Sequence, residues 1–158
     1  MRLSEFSSID FRSKKFQDKI SNAIKKAELQ TSGEIRVHLE MRCKKDPCER
    51  AINVFHHLKM NETAARNGIL IYIAYRSRKM SIIGDSGIDE KVSKDFWKVI
   101  LDELRIDFSK QNYADGISKA VLAIGEVLKQ YFPYKSDDVN EQSDDISYGK
   151  KLSKIPEK

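Results

Sequence analysis

Glu34, Asp85, Asp89 and Glu90 are the side chains in this 158-residue chain whose types and settings best suit chemistry. Each carboxylate lies in or beside a glycine turn: Ser32-Gly33-Glu34, Gly84-Asp85-Ser86-Gly87 and the Asp89-Glu90 pair that follows. With Asn67, which precedes Gly68, they form a set of hard oxygen donors suited to Ca²⁺ or Mg²⁺, and the glycines let backbone carbonyls bend toward an ion. Several carboxylates in one place repel each other unless a cation compensates. Either a bound metal or Arg66 could do so. With a metal in place, Arg66 and a helix start near Asp89 would suit a phosphate, and Asp85 would orient the attacking water. A plainer reading has Asp89 capping its helix and Asp85 supporting a turn.

Other constellations fall away on spacing. A cysteine phosphatase loop needs arginine six positions after its nucleophile, where Cys43 finds Glu49. Ser86 follows a hairpin strand and lacks an evident histidine partner, which is a poor nucleophile elbow. Cys43, Cys48, His56 and His57 make an unusual zinc spacing, and Cys48 has the helical phase of a core residue, so both cysteines read as reduced thiols. His38 reads as a surface histidine, and Phe96 and Trp97 have core spacing. Asp107 and Asp115 flank a turn that would sit at the opposite sheet edge.

The elements that must position the acidic set follow from periodicity. Phe16, Ile20, Ile24 and Ala27 recur at helical spacing between Ser13 and Leu29. From Glu34 the pattern alternates, with Ile35, Val37, Leu39 and Met41 on one face and Glu34, Arg36, His38 and Glu40 on the other, which predicts a strand with one wet face. Asp46-Pro47 with Glu49 offers an N-cap, a first-turn proline and a capping box for a helix burying Cys48, Ala51, Phe55 and Leu58. The run Gly68 to Tyr75 lacks alternation, as a strand covered on both faces does. Met80 to Ile83 follows as an antiparallel strand. Helices are expected over about 89–104 and 112–131, with Gly116 and Gly125 inside the second explained by close backbone packing.

A strand, a helix and a second strand form a crossover, so the first two strands should be parallel. The third then runs back, which puts Glu34, Asn67 and Asp85 at one sheet edge. The expected fold class is α/β, a three-layer α/β/α sandwich around a small mixed parallel and antiparallel sheet. It should occupy residues 1–133, with an acidic then basic tail over 134–158 that is too polar to order.

In that order and spacing, Thr31-Ser-Gly-Glu-Ile-Arg-Val, Arg66-Asn-Gly-Ile-Leu-Ile-Tyr-Ile, Ile83-Gly-Asp-Ser-Gly-Ile88 and Tyr113-Ala-Asp-Gly-Ile117 resemble the TPM domain family. The resemblance implies an α/β/α sandwich from about Phe11 to Pro133. It also implies one of two roles: relatives in plants look like thylakoid-lumen acid phosphatases, and others like metal-binding accessory domains. The chain looks like a bacterial stand-alone form, without the signal peptide and membrane tail that many relatives carry.

The apolar run from Ile69 to Tyr75 is far shorter than the roughly 18 residues of a membrane span. Met1 to Lys14 has no apolar stretch behind its charges, so the cytoplasm is the expected location. Twenty-nine basic residues against 24 acidic ones give a net charge of +5, spread along the chain. With no recognised motif beside that charge, specific nucleic-acid binding is not expected. The expectation is therefore a monomeric module that binds Ca²⁺ or Mg²⁺ and meets a protein partner; the alternative is a metal-dependent acid phosphatase-like hydrolase.

Overall fold

Ser13 starts the first helix: its Oγ accepts from the Phe16 N–H at 3.2 Å, which satisfies one of the amides a helix start leaves open. A computed structural model describes residues 11–135 and 143–149 of the chain. Helix α1 (Lys14–Glu28) buries Phe16, Ile20, Ala23, Ile24 and Ala27, the stripe its spacing predicts. Strand β1 (Glu34–Glu40) follows, then α2 (Pro47–His57), capped by Asp46, whose carboxylate accepts from the Glu49 N–H at 3.1 Å. A short 3₁₀ turn at Met60–Glu62 leads to β2 (Gly68–Ala74) and the hairpin partner β3 (Lys79–Gly84).

Strands β1 and β2 pair in parallel, with Glu34 opposite Gly68, and β2 and β3 pair antiparallel, with Ile69 opposite Gly84. Glu34, Gly68 and Gly84 therefore lie at one edge of the sheet, as the crossover argument requires. Past β3 the single helix expected from about Asp89 is two: a short α3 (Ser86–Asp89) capped by Asp85, and α4 (Lys94–Ser109) after a fresh N-cap position at Ser93. Helix α5 (Tyr113–Tyr131) closes the layer. In α5 a Cβ on Gly125 would come within 2.7 Å of Ala27 Cβ, and one on Gly116 within 2.7 Å of Asp107 Cβ, so both glycines serve close packing. The main core lies between the sheet and α1, α4 and α5; a smaller one of Ala51, Val54, Phe55, Met60, Leu70 and Tyr72 lies under α2. This is the expected α/β/α sandwich.

Three expectations need correction. Residues 143–149, placed by composition in the tail, contribute β4 (Ser147–Tyr148), which pairs in parallel with β1 through His38 and Leu39 and makes the sheet order β3-β2-β1-β4. Ile146 is buried against the main core, and the Gly149 N–H donates to Leu39 O at 2.8 Å. One apolar anchor and free ladder positions on β1 are enough to dock a polar stretch; the rest of the proposed tail lies outside the described residues. Second, the expected wet face of β1 is mostly covered: Glu34, His38 and Glu40 are buried and Arg36 half-buried, with Arg50 of α2 over Glu40 and Ser147 of β4 over His38. Third, Cys48 is exposed and Cys43 is the buried cysteine, Val54 taking the core position on α2 that Cys48 was expected to share; both remain free thiols.

Candidate functional site

The acidic edge is built around Glu34, the first residue of β1, which is 2% exposed. Its N–H donates to Asn67 O at 3.4 Å, tying the starts of β1 and β2 together. Asn67 is itself 1% exposed, and neither Oδ1 nor Nδ2 has a hydrogen-bond partner among the described residues. Such a group is uncommon, because burying an amide without partners costs roughly 1–3 kcal/mol.

Glu28, in the last turn of α1, joins this edge: its Oε2 accepts from the Ile35 N–H at 2.8 Å. Burial, then the charge of Glu34 and of Asp144, push the Glu28 carboxyl up to about 10, so it stays protonated at neutral pH. Docking of β4 brings Asp144 here. Sequence reasoning missed Glu28 and Asp144; the only hint was that Glu28 lies six residues before Glu34 across the Thr31-Ser32-Gly33 turn.

Asp85, just past the end of β3 and two strands over, is engaged differently. The Arg66 guanidinium forks onto it, Nε to Oδ2 at 2.7 Å and Nη2 to Oδ1 at 2.8 Å, and the Ser86 N–H donates to Oδ1 at 2.8 Å. Burial alone would raise the Asp85 pKa, but the Arg66 fork and the Ser86 bond hold it below the usual carboxylate range. Asp89 is exposed and accepts from Trp97 Nε1 at 3.0 Å, and Glu90 is exposed. Glu34 and Asp85 share one edge but flank Gly68, about 10 Å apart at two strand spacings. The set thus divides into an arginine-neutralised half at Asp85 and a carboxylate-rich half at Glu34. No three His, Cys, Asp or Glu side chains among the described residues form a ready metal cage. At the far edge Asp107 and Asp115 each hold a lysine, Lys119 and Lys19 respectively.

The Arg66 loop depends on Gly87. Its N–H donates to Arg66 O at 2.7 Å, and a Cβ there would lie 2.2 Å from Ala65 O and 2.5 Å from Arg66 O. Gly87→Ala is therefore expected to lower stability by about 1–3 kcal/mol in chemical denaturation and to loosen the Arg66–Asp85 pair. A variant as stable as the parent would show that α3 can shift without loss.

The other end of β1 carries a second polar cluster. Glu40 accepts from Arg50 Nε and Nη2, both at 2.9 Å, from the Tyr72 hydroxyl, and contacts His38 Nε2 at 3.2 Å; His38 Nδ1 lies 2.9 Å from Ser147 Oγ. Burial would raise the Glu40 carboxyl, but the Arg50, His38 and Tyr72 bonds together pull it down to about 2. Serine, histidine and acid follow one another here as in a hydrolase triad. With the His38 side chain 6% exposed and Glu40 filled by three groups, the arrangement holds β4 and α2 to β1 rather than meeting a substrate.

A family model for the TPM domain matches residues 11–127, most of the described residues. This chain belongs to the TPM domain family. Among solved structures, the BA42 protein from the psychrophilic bacterium Bizionia argentinensis, determined by NMR, is similar at 40% identity and a TM-score of 0.83, covering 90% of this chain and 98% of that one. No curated protein sequence matches the chain. Glu34, Arg66-Asn67 and Asp85 share one sheet edge, and each lies in one of the phrases that carry the resemblance to this family. No helix among the described residues is long and apolar enough to cross a membrane.

Proposed function

We propose that this TPM domain is an accessory binding module that takes one divalent cation, Ca²⁺ or Mg²⁺, at the edge where β1 and β2 begin. Glu34 and Asn67 would hold it, and its charge would offset the mutual repulsion of Glu34, Glu28 and Asp144 at this edge. The observation that carries this reading is Asn67, buried beside Glu34 with both side-chain polar atoms unpartnered among the described residues. The donor set is all oxygen, which suits a hard cation and disfavours zinc. Asp85, Asp89 and Glu90 stand outside this narrower set, since Arg66 already supplies the positive charge at Asp85. The exposed Leu29 and Tyr134 flank Gln30 close to Glu28 and would offer a protein partner apolar contact.

A metal-dependent phosphatase has the resemblance to plant acid-phosphatase relatives in its favour, but a water-orienting role for Asp85 would require releasing the Arg66 fork. An amide NMR titration with Ca²⁺ and with Mg²⁺ tests the module: resonances of residues 28, 34–35 and 67–68 should move, and Glu34→Gln should abolish the response. Shifts confined to 85–90, or none, would overturn it. Hydrolysis of p-nitrophenyl phosphate that is lost with EDTA and in Asp85→Asn would replace it with the hydrolase.

A further inference from the structure

At the opposite end of the β2–β3 hairpin from Asp85, a cavity of about 400 Å³ opens between the hairpin and the α4–α5 turn. Its floor is Tyr75, Met80 and Tyr113, all buried, and Phe108 forms a wall, its ring 4.8 Å from that of Tyr113 in an edge-to-face pair. Arg78 and Arg105 stand exposed at its rim. Arg78 has no ion pair among the described residues, and its charge is felt by the Tyr113 hydroxyl inside. Arg105 has one loose contact, with Asp102 at 3.4 Å. The positive end of the 19-residue α5 begins at Tyr113 and adds to the same field, offset in part by Asp115, which Lys19 holds.

We propose that this cavity binds a small anion bearing an aromatic ring, the ring lying among Met80, Phe108 and Tyr113 and the phosphonate-, phosphate- or carboxylate-type head group held by Arg78 and Arg105. An apolar floor with a few convergent polar groups is the usual make-up of a small-ligand site, and two guanidiniums at one rim select a planar or tetrahedral oxyanion. Phe11 already packs on the rings of Tyr75 and Tyr113, so the Phe108 ring and the Met80 sulfur are the groups a ligand's ring would chiefly meet, and sulfur packs well at a ring edge. The site is independent of the cation edge, at the far end of the strands.

Phenylphosphonate, whose C–P bond resists a phosphatase, is the probe. Titrated into the full chain, it should move the amides of residues 75–80 and 105–113 with a Kd on the order of 1 mM. Arg78 has a left-handed backbone (φ 55°), so Arg78→Asn, which tolerates that conformation, is the substitution of choice. It and Arg105→Gln should each weaken binding by about tenfold while the rest of the spectrum stays unchanged. Methylphosphonate, lacking the ring, and benzyl alcohol, lacking the charge, should each bind at least about fivefold more weakly. Equal binding of methylphosphonate and phenylphosphonate, an unchanged Kd in both arginine variants, or shifts spread over the surface lysines would each overturn the assignment in favour of general anion attraction.

Discussion

Replacing Glu40 with alanine is expected to lower the unfolding free energy by about 3 kcal/mol, read as a fall in the urea midpoint at neutral pH. Removing one partner of a buried pair is usually worth about 3–5 kcal/mol, because the other charge is stranded. Here Arg50 is 39% exposed and can return to water, which sets the effect at the lower end. The remaining loss comes from the Tyr72 hydroxyl and His38 imidazole, which stay buried with their acceptor gone. The same carboxylate gives a pH signature. Its folded pKa, about 2, lies below the ordinary value of 4.5, so its contribution is present above about pH 4.5 and is lost as pH falls through 2. The parent should lose stability over that window and Glu40→Ala should lose much less. Equal acid sensitivity in the two would show that Glu40 is not what joins α2 and β4 to the sheet.

The layers of this fold were legible because they rest on periodic burial. Phe16, Ile20, Ile24 and Ala27 marked α1, and the unbroken run Gly68–Ala74 marked the central strand. The parallel β1–β2 pair followed from chain connectivity alone. Alternation misled at β1, where Glu34, His38 and Glu40 imitate a solvent face; the partners of His38 and Glu40, namely Arg50, Tyr72 and Ser147, come from other elements with no mark in the sequence. Strand β4 was hidden for a related reason. Ile146 is its one buried apolar residue, and the ladder bonds to β1 are backbone bonds that composition does not report. At the acidic edge, glycine turns and strand ends put Glu34, Asn67 and Asp85 on one sheet edge, but connectivity did not report the two strand spacings that keep Glu34 and Asp85 from sharing one ion. The Arg66 fork on Asp85 was foreseen only as one way of compensating charge, while Glu28 went unseen because a glutamate closing a helix is usually solvated.

That overlooked glutamate yields the second large effect. Glu28 binds a proton in the folded domain up to about pH 10, because burial and then Glu34 and Asp144 oppose its charge, whereas in the unfolded chain it ionises near 4.5. Its contribution to stability is therefore complete below about pH 4.5 and declines as pH rises toward 10. Glu28→Gln keeps an oxygen for the Ile35 N–H and removes the titration, so at pH 8 the variant should be more stable than the parent by upward of about 1 kcal/mol, with a flatter pH profile. Together with the acid limb set by Glu40, this makes the combined contribution of these two carboxyls, without divalent cations, greatest in mildly acidic solution and smaller toward alkaline pH. A cation held by Glu34 and Asn67 would replace the proton on Glu28. Saturating Ca²⁺ or Mg²⁺ should then raise the parent's melting temperature more at pH 8 than at pH 5, and the gain should shrink in Glu28→Gln. Because Asp144 reaches this edge only when β4 is docked, the same ion should slow amide exchange at Gly149, whose N–H bonds to Leu39 O. A parent that is more stable at pH 8 than at pH 5 without added metal would remove the buried proton from the account. A Ca²⁺ response identical in parent and variant would separate Glu28 from the ion.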